Sequence, residues 1–211
     1  MRFVITAGPT REHIDPVRFL SNPSTGRMGF AVARAAVERG HEVVLVAGPV
    51  ALKTPKGVAR VDVTSAREML SAVEGALADA NCARATAVFV ATAAVADWHP
   101  AETAGKKLKK RDMTGVLRLV RNPDILKTVK CERKIGFAAE TDNVLAEAAR
   151  KCREKGLAMV VANDVTEKGA GFGVATNRVT FFRRDGSAER LPLMSKLAVA
   201  RRIVRFAETL A

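Results

Sequence analysis

An apolar, β-branched run, Phe3–Ala7, opens the chain and stops at Gly8-Pro9-Thr10, which predicts a buried strand ending in a turn. A polar loop holding Arg11, Glu12, Asp15 and Arg18 follows. From about Thr25 to Arg39 apolar positions recur at helical spacing until Gly40 closes the pattern, and Glu42–Val46 is a second strand, giving a strand–loop–helix–strand unit. The alternation continues with a strand over Ala59–Val63, a helix from Ala66 to about Ala80 and a strong strand at Ala87–Ala91. Later come strands at Val116–Val120, Lys134–Ala138 and Ala158–Ala162, with a short helix over Pro123–Val129 and one from a cap at Glu140-Thr141-Asp142-Asn143 to Lys155. Arg178–Arg183 and Glu189–Leu193 flank Asp185-Gly186 as a hairpin, and Ser195 caps a last helix to about Leu210.

Such alternation predicts an α/β fold, a doubly wound Rossmann-like parallel sheet, in a single domain over residues 1–211. Two segments stand outside it. Ala101–Thr114 has no apolar face and carries Lys106-Lys107-Leu108-Lys109-Lys110-Arg111, so residues from about 101 to 115 are expected to form a flap. The hairpin, about 178–193, is expected as a small β appendage. A chain of 211 residues supplies one sizeable core and is too short for two ordinary domains. In doubly wound sheets ligands sit beyond the carboxyl ends of the strands, which here hold Gly8, Ala93–Asp97, Phe137–Glu140 and Asn163-Asp164.

Composition narrows the class. Hydrophobic residues make up 48% and charged residues 27%, which suits a globular protein. No apolar run is long enough to span a membrane, and the first strand is not a signal peptide, so the expected location is cytoplasmic with no membrane partner. Cys82, Cys131 and Cys152 are widely spaced without a C-x-x-C, which argues against a disulfide framework or a zinc site. The net charge of +13 calls for an anionic partner. With no Tyr and one Trp a base-stacking platform for nucleic acid is hard to assemble, whereas nucleoside triphosphates and phosphate esters suit the same charge.

The chemistry centres on Ser21-Asn22-Pro23-Ser24-Thr25-Gly26-Arg27-Met28-Gly29-Phe30, which runs straight into the first helix. Ser24 and Thr25 are N-cap types, Gly26 and Gly29 permit close backbone approach, and first-turn amides are available to an anion. Taken alone, the stretch fits a phosphate site or a capped surface helix with two incidental glycines. Three features speak against a dinucleotide-binding dehydrogenase, the natural first expectation for such a sheet. There is no G-x-G-x-x-G, the second strand ends in Ala47-Gly48 without an acid, and no tyrosine can serve as a reductase residue. Asp97, after four small residues at a strand end, is placed to bond a substrate hydroxyl or amide. Phe137 lies in a core-like strand pattern, Asn163 is a turn-former or a reader of a base edge, and the flap lysines form a solvated loop or a cationic cover for a triphosphate. The three histidines show no ligand spacing, so no metal site is assigned.

Seven motifs in order resemble the phosphopantothenoylcysteine synthetase family over nearly the whole chain. They are Ile5–Glu12, Asp15–Gly29, Ala93–Asp97, Lys107–Lys110, Asn122–Leu126, Gly136–Thr141 and Ala162–Val165. The resemblance implies an amide-forming ligase of coenzyme A biosynthesis. A nucleoside triphosphate, CTP in bacterial members and ATP in eukaryotic ones, activates the carboxylate of 4′-phosphopantothenate and releases pyrophosphate. The amine of cysteine then attacks the acyl-nucleotide. It further implies that Gly8, Ser24, Gly26, Gly29, Phe137 and Asn163 lie along the nucleotide, and that Ala93, Ala94 and Asp97 hold the pantothenate arm. By the same resemblance Asn22 touches the substrate and supports the second half-reaction, Lys107 is the catalytic flap lysine, and Arg18 reaches the substrate phosphate of the other subunit of a homodimer. Mg2+ is expected with CTP, and no flavin, because the flavin-dependent decarboxylase fused ahead of many bacterial synthetases has no counterpart in this chain. With Met1 directly before the first strand, a stand-alone enzyme and an excised domain both fit. A non-catalytic nucleotide-binding module on the same fold is the competing reading.

Overall fold

The computed structural model describes residues 1–78, 87–112, 115–140, 143–164, 169, 171 and 173–210. The end of the second predicted helix at Ala80, Cys82, Thr114 of the flap and Thr141-Asp142 of the predicted cap lie outside them.

Six parallel strands form the centre: β1 (Arg2–Ala7), β4 (Glu42–Ala47), β5 (Ala59–Asp62), β6 (Ala87–Ala91), β9 (Lys134–Glu140) and β10 (Met159–Asp164). They lie in the order β10-β9-β6-β1-β4-β5, the doubly wound arrangement in which the chain works outward first on one side of β1 and then on the other. Both faces of the inner strands are buried, while β5 at the border is mostly exposed. Along β1, Phe3, Ile5 and Ala7 join one core layer and Val4 the other; along β4, Val43 and Leu45 join the first, Val44 and Val46 the second. That explains the near-continuous apolar runs, since a parallel sheet covered on both faces has no solvent side to alternate toward. Helices α1 (Arg27–Glu38) and α5 (Lys196–Glu208) cover the first face. The second is covered by α2 (Ala66–Ala78) and α3 (Ile125–Thr128), with α4 (Val144–Glu154) over β10.

Several predicted details shift. The hairpin strands β12 (Thr180–Arg183) and β13 (Ala188–Arg190) are not an appendage: β12 pairs antiparallel with β10 and makes the main sheet eight-stranded. The reason is Phe181, whose ring is buried in the core of the first face, so the hairpin has a layer to join. The loop after β1 contains a two-stranded ribbon, β2 (Arg11–His13) against β3 (Phe19–Ser21). The strand predicted at Val116–Val120 is shorter and later. It is β8 (Leu119–Arg121), paired with β7 (Trp98–Pro100), and these two strands form the base of the flap. The last helix starts as expected, with Ser195 Oγ accepting from the Ala198 amide at 3.2 Å.

The first ribbon also braces the second face. Glu12, buried, accepts from the Ala66 amide at 2.9 Å and so satisfies an orphan donor at the start of α2. Ser65 and Glu68 complete that end: Ser65 Oγ accepts from the Glu68 amide at 3.2 Å and Glu68 Oε2 from the Thr64 amide at 2.7 Å.

Candidate active site

The chain leaves β1 and β6 at the switch point, where sequential strands part to opposite halves of the sheet, and their two loops are stitched together. Ala94 donates to Gly8 O at 2.9 Å, Thr92 Oγ1 to Thr6 O at 2.6 Å, and Thr10 Oγ1 accepts from the Ala96 amide at 3.0 Å. Into this seam comes the start of α1. Gly26 takes φ 76°, a left-handed conformation that suits glycine, and turns the chain into the helix. The predicted cap is therefore corrected. Gly26, not Ser24 or Thr25, is the N-cap of α1 and supplies no side-chain cap bond, and Ser24 Oγ lies 3.4 Å from the Gly26 amide in a local turn. The first intrahelical donor is Phe30, to Gly26 O at 3.2 Å, so the amides of Arg27, Met28 and Gly29 have no acceptor within the helix. No acid occupies the first turn. Those three residues line a cleft of about 130 Å³, and a glycine-capped, acid-free helix start opening on a cleft has the electrostatics that suit an anion.

The same cleft gathers most of the expected site residues. Ser24, Gly26, Gly29, Ala93, Ala94, Phe137 and Asn163 all line it. Phe137, expected in the core, is half-buried and presents to the cleft, while Asn163 is nearly fully buried at the end of β10. From β1 to β10 is three strand spacings, about 14 Å, and the cleft reaches from the start of α1 to Asn163 across them. Gly8 stands behind the wall. It takes φ 79°, and a Cβ on Gly26 would come within 3.3 Å of its amide nitrogen. A Cβ on Gly29 would lie 2.5 Å from both Ala7 Cβ and Thr92 Oγ1, so Gly29 is needed first for the approach of α1 to the sheet.

Four more expected residues, besides Gly8, lie outside the cleft wall. Asn22 donates through Nδ2 to Ala94 O at 3.2 Å and Val95 O at 3.3 Å, which holds it over the seam. Asp97 is exposed, its carbonyl accepting from the Asn122 amide at 2.8 Å. Arg18 is bound to Asp15 and to the flap backbone, and Lys107 is exposed on the flap.

Two wall residues carried no motif. Lys196 is buried, its Nζ donating to Gly171 O at 2.7 Å and Val174 O at 2.8 Å. Burial, with the nearby Arg27 charge second, pushes its pKa down. A cation in the first turn of a helix is disfavoured by the dipole, and that is the signal by which Lys196 could have been found. Asn177 is 4% exposed and its Oδ1 has no hydrogen-bond partner among the described residues, which suits a donor within the cleft. Asn122 bridges from the other side, Nδ2 donating to Ala96 O at 2.8 Å, so the loop from Ala93 to Asp97 is held from both flanks.

A doubly wound sheet with a helix start opening on a cleft at its switch point defines the structural class. The chain belongs to the family of DNA/pantothenate metabolism flavoprotein C-terminal domains, which it matches over residues 1–210. It is 47% identical over 207 residues, 96% of this chain and 50% of the relative, to the coenzyme A biosynthesis bifunctional protein CoaBC of Bacillus subtilis. To the protein of that name from Escherichia coli K12 it is 41% identical over 220 residues, 99% of this chain and 53% of the relative. The chain thus spans about half the length of the curated relatives it matches. A crystal structure of the C-terminal domain of CoaBC superposes with TM-score 0.81 at 43% identity, covering 99% of this chain and 94% of that one. The DNA/pantothenate metabolism flavoprotein of Streptococcus pneumoniae superposes with TM-score 0.82 at 22% identity, covering 100% of both chains, a likeness of fold alone.

If Gly29 serves packing before ligand binding, Gly29→Ala destabilises the ligand-free protein by about 1–3 kcal/mol. Thermal unfolding should then fall by roughly 2–12 °C; an unchanged midpoint would return Gly29 to a purely ligand-facing role.

Proposed function

We propose that this protein joins 4′-phosphopantothenate to cysteine, and that the cleft at the switch point is where a nucleoside triphosphate activates the acid. The carrying observation is the convergence of the glycine-capped α1 start with Asn22, fastened to the Ala94–Val95 backbone. A carboxylate oxygen attacks the α-phosphorus, the bond to the β-phosphate breaks, and pyrophosphate leaves with its electron pair. The cysteine amine then adds to the acyl carbon, the nucleoside monophosphate departs, and the amine proton is lost as the amide forms.

The first step brings anions together, so its main obstacle is electrostatic. Amides of residues 27–29 stabilise phosphate oxygens without being supplied by a side chain that must reorganise, and one such donor is worth about 10²–10³ in rate. Gly8 and Gly26 shape the turn beneath them, Phe137 and Asn163 lie at the far end where a base would rest, and Ala93, Ala94 and Asp97 flank the pantothenate arm. Asn22 orients the acyl-nucleotide for the amine, and Lys107 supplies positive charge from the flap. The likeness to bacterial relatives favours CTP over ATP, and it supports a cytoplasmic enzyme without flavin in this chain. Among the described residues no helix is long and apolar enough to cross a membrane. Mg2+ would enter bound to the triphosphate, since among the described residues no group of three His, Cys, Asp or Glu is placed to hold an ion. No residue is assigned to it.

A homodimer is part of this reading. The two small ribbons expose Val17, Phe19, Trp98, Leu119 and Val120, and beside them Val116 is 78% exposed, an apolar surface that favours a second copy. Arg18, on the β2–β3 ribbon, would lie at that boundary, near the partner's substrate.

With phosphopantothenate, cysteine, Mg2+ and either CTP or ATP, pyrophosphate release is expected, faster with CTP. No release with any nucleotide would leave only a binding module. Asn22→Asp should still release pyrophosphate in the first turnover while amide formation drops by about 10²-fold; unaltered product formation would remove its assigned role. Sedimentation should find the wild type dimeric and Val120→Glu monomeric with a matching loss of turnover, whereas a monomeric, active wild type refutes the shared site.

A further inference from the structure

Between β7 and β8 the flap lies along the loop after β2 instead of projecting into solvent. Thr103 Oγ1 donates to His13 O at 3.0 Å and the Ala104 amide to Ile14 O at 2.9 Å. Farther out, Leu108 is gripped by both of its backbone groups. Its amide donates to Asp15 Oδ2 at 3.1 Å, and its carbonyl accepts from an Arg18 guanidinium nitrogen at 2.9 Å.

Asp15 is completely buried. Oδ1 accepts from the amides of Val17 and Arg18, each at 2.8 Å, the ordinary local turn of an aspartate. Oδ2 takes Arg18 Nε at 3.0 Å, a terminal Arg18 nitrogen at 2.5 Å and the Leu108 amide, which a local turn does not require. The Arg18 guanidinium, followed by the backbone donors, holds this carboxyl well below the usual carboxylate range. A charge is thus kept in a buried position with each oxygen satisfied, and its long-range contact falls on the residue next to Lys107. A basic loop that served only solubility would need no such anchor.

We propose that Asp15 is a positioning residue for the flap lysine: with Arg18 it clasps Leu108 by both backbone groups and so fixes where Lys107 is delivered. The same loop continues through β3 to Asn22, so the flap and the substrate-facing asparagine are registered against one another by a single segment. A catalytic group displaced by about 1 Å can lose on the order of 10² in rate, which sets the size of the effect. The catalytic part of this inference rests on the role given to Lys107 above.

Asp15→Asn keeps shape and one acceptor but turns an amide donor toward Arg18 and Leu108. Trypsin cleavage at Lys106–Arg111 should then accelerate at least tenfold with the thermal midpoint little changed, and kcat should fall by about 10–100-fold at unchanged KM for the nucleotide. In a Lys107→Gln background, itself slower than wild type, Asp15→Asn should lower kcat by no more than about twofold, because the lysine it positions is gone. Leu108→Pro, which removes the flap-side donor with Asp15 in place and also restricts the backbone at Lys107, should reproduce the proteolysis and kcat effects and serves if Asp15→Asn does not fold. Wild-type protease resistance in these variants, or a full kcat loss in the Lys107→Gln background, would overturn the proposal. A wild type without turnover would instead refute the ligase reading, and the protease rates would then decide the clasp alone.

Discussion

The structure depends on how closely three backbones approach one another at the switch point. The end of β1, the start of α1 and the end of β6 meet with glycine at the contacts, and a methyl group at Gly29 would overlap Ala7 and Thr92. That approach lets Ala94 bond Gly8 and carries the first-turn amides of the first helix to the mouth of the cleft. Threonines supply the lateral ties. Thr6 and Thr10 are buried, and their hydroxyls accept from the amides of Ala93 and Ala96, so the loop after β6 is set by β1 and its turn as much as by its own strand. Fold and site are therefore one problem in packing.

Electrostatics then distinguishes the cleft from the rest of a basic surface. Many arginines are spent on local pairs: Arg34 and Arg201 converge on Glu38, and Arg39 with His41 on Glu208, which ties α1 to α5 on the outside. Exposed pairs of this kind contribute little to stability, about 0–1 kcal/mol each. At the cleft the arrangement is different. Arg27 and Lys196 stand close enough for one charge to depress the other's pKa, in a first turn that contains no acid. Two cations left near an open helix start lower the cost of bringing in a polyanion, and they explain why the net charge of +13 has a local meaning as well as a global one.

Much of this was legible in the sequence, because apolar runs and glycine stops mark a parallel sheet directly. The order of strands and helices follows from Phe3–Ala7, Glu42–Val46, Ala87–Ala91 and their successors, and the motif residues Ser24, Gly26, Gly29, Ala93, Ala94, Phe137 and Asn163 do share one cleft. What failed to show depends on contacts distant in the chain. Ser24 has the chemistry of a cap, yet the left-handed turn at Gly26 takes that place, a backbone choice no side-chain preference reveals. The hairpin gave no sign of its parent sheet, since only burial of Phe181 against the core decides it. Asn177 belongs to no motif, and the Asp15 contact to Leu108 joins residues 93 positions apart.

The ends of the sheet have their own consequence. Both outer strands are short and studded with charge: β5 carries Arg60 paired to Asp62, and on β13 Glu189 is gripped by Arg183 and Arg202. A foreign strand adding at either border would have to displace these pairs and strip their water, which guards the sheet against runaway stacking into fibrils. Both borders are thereby set against recruitment of a further strand.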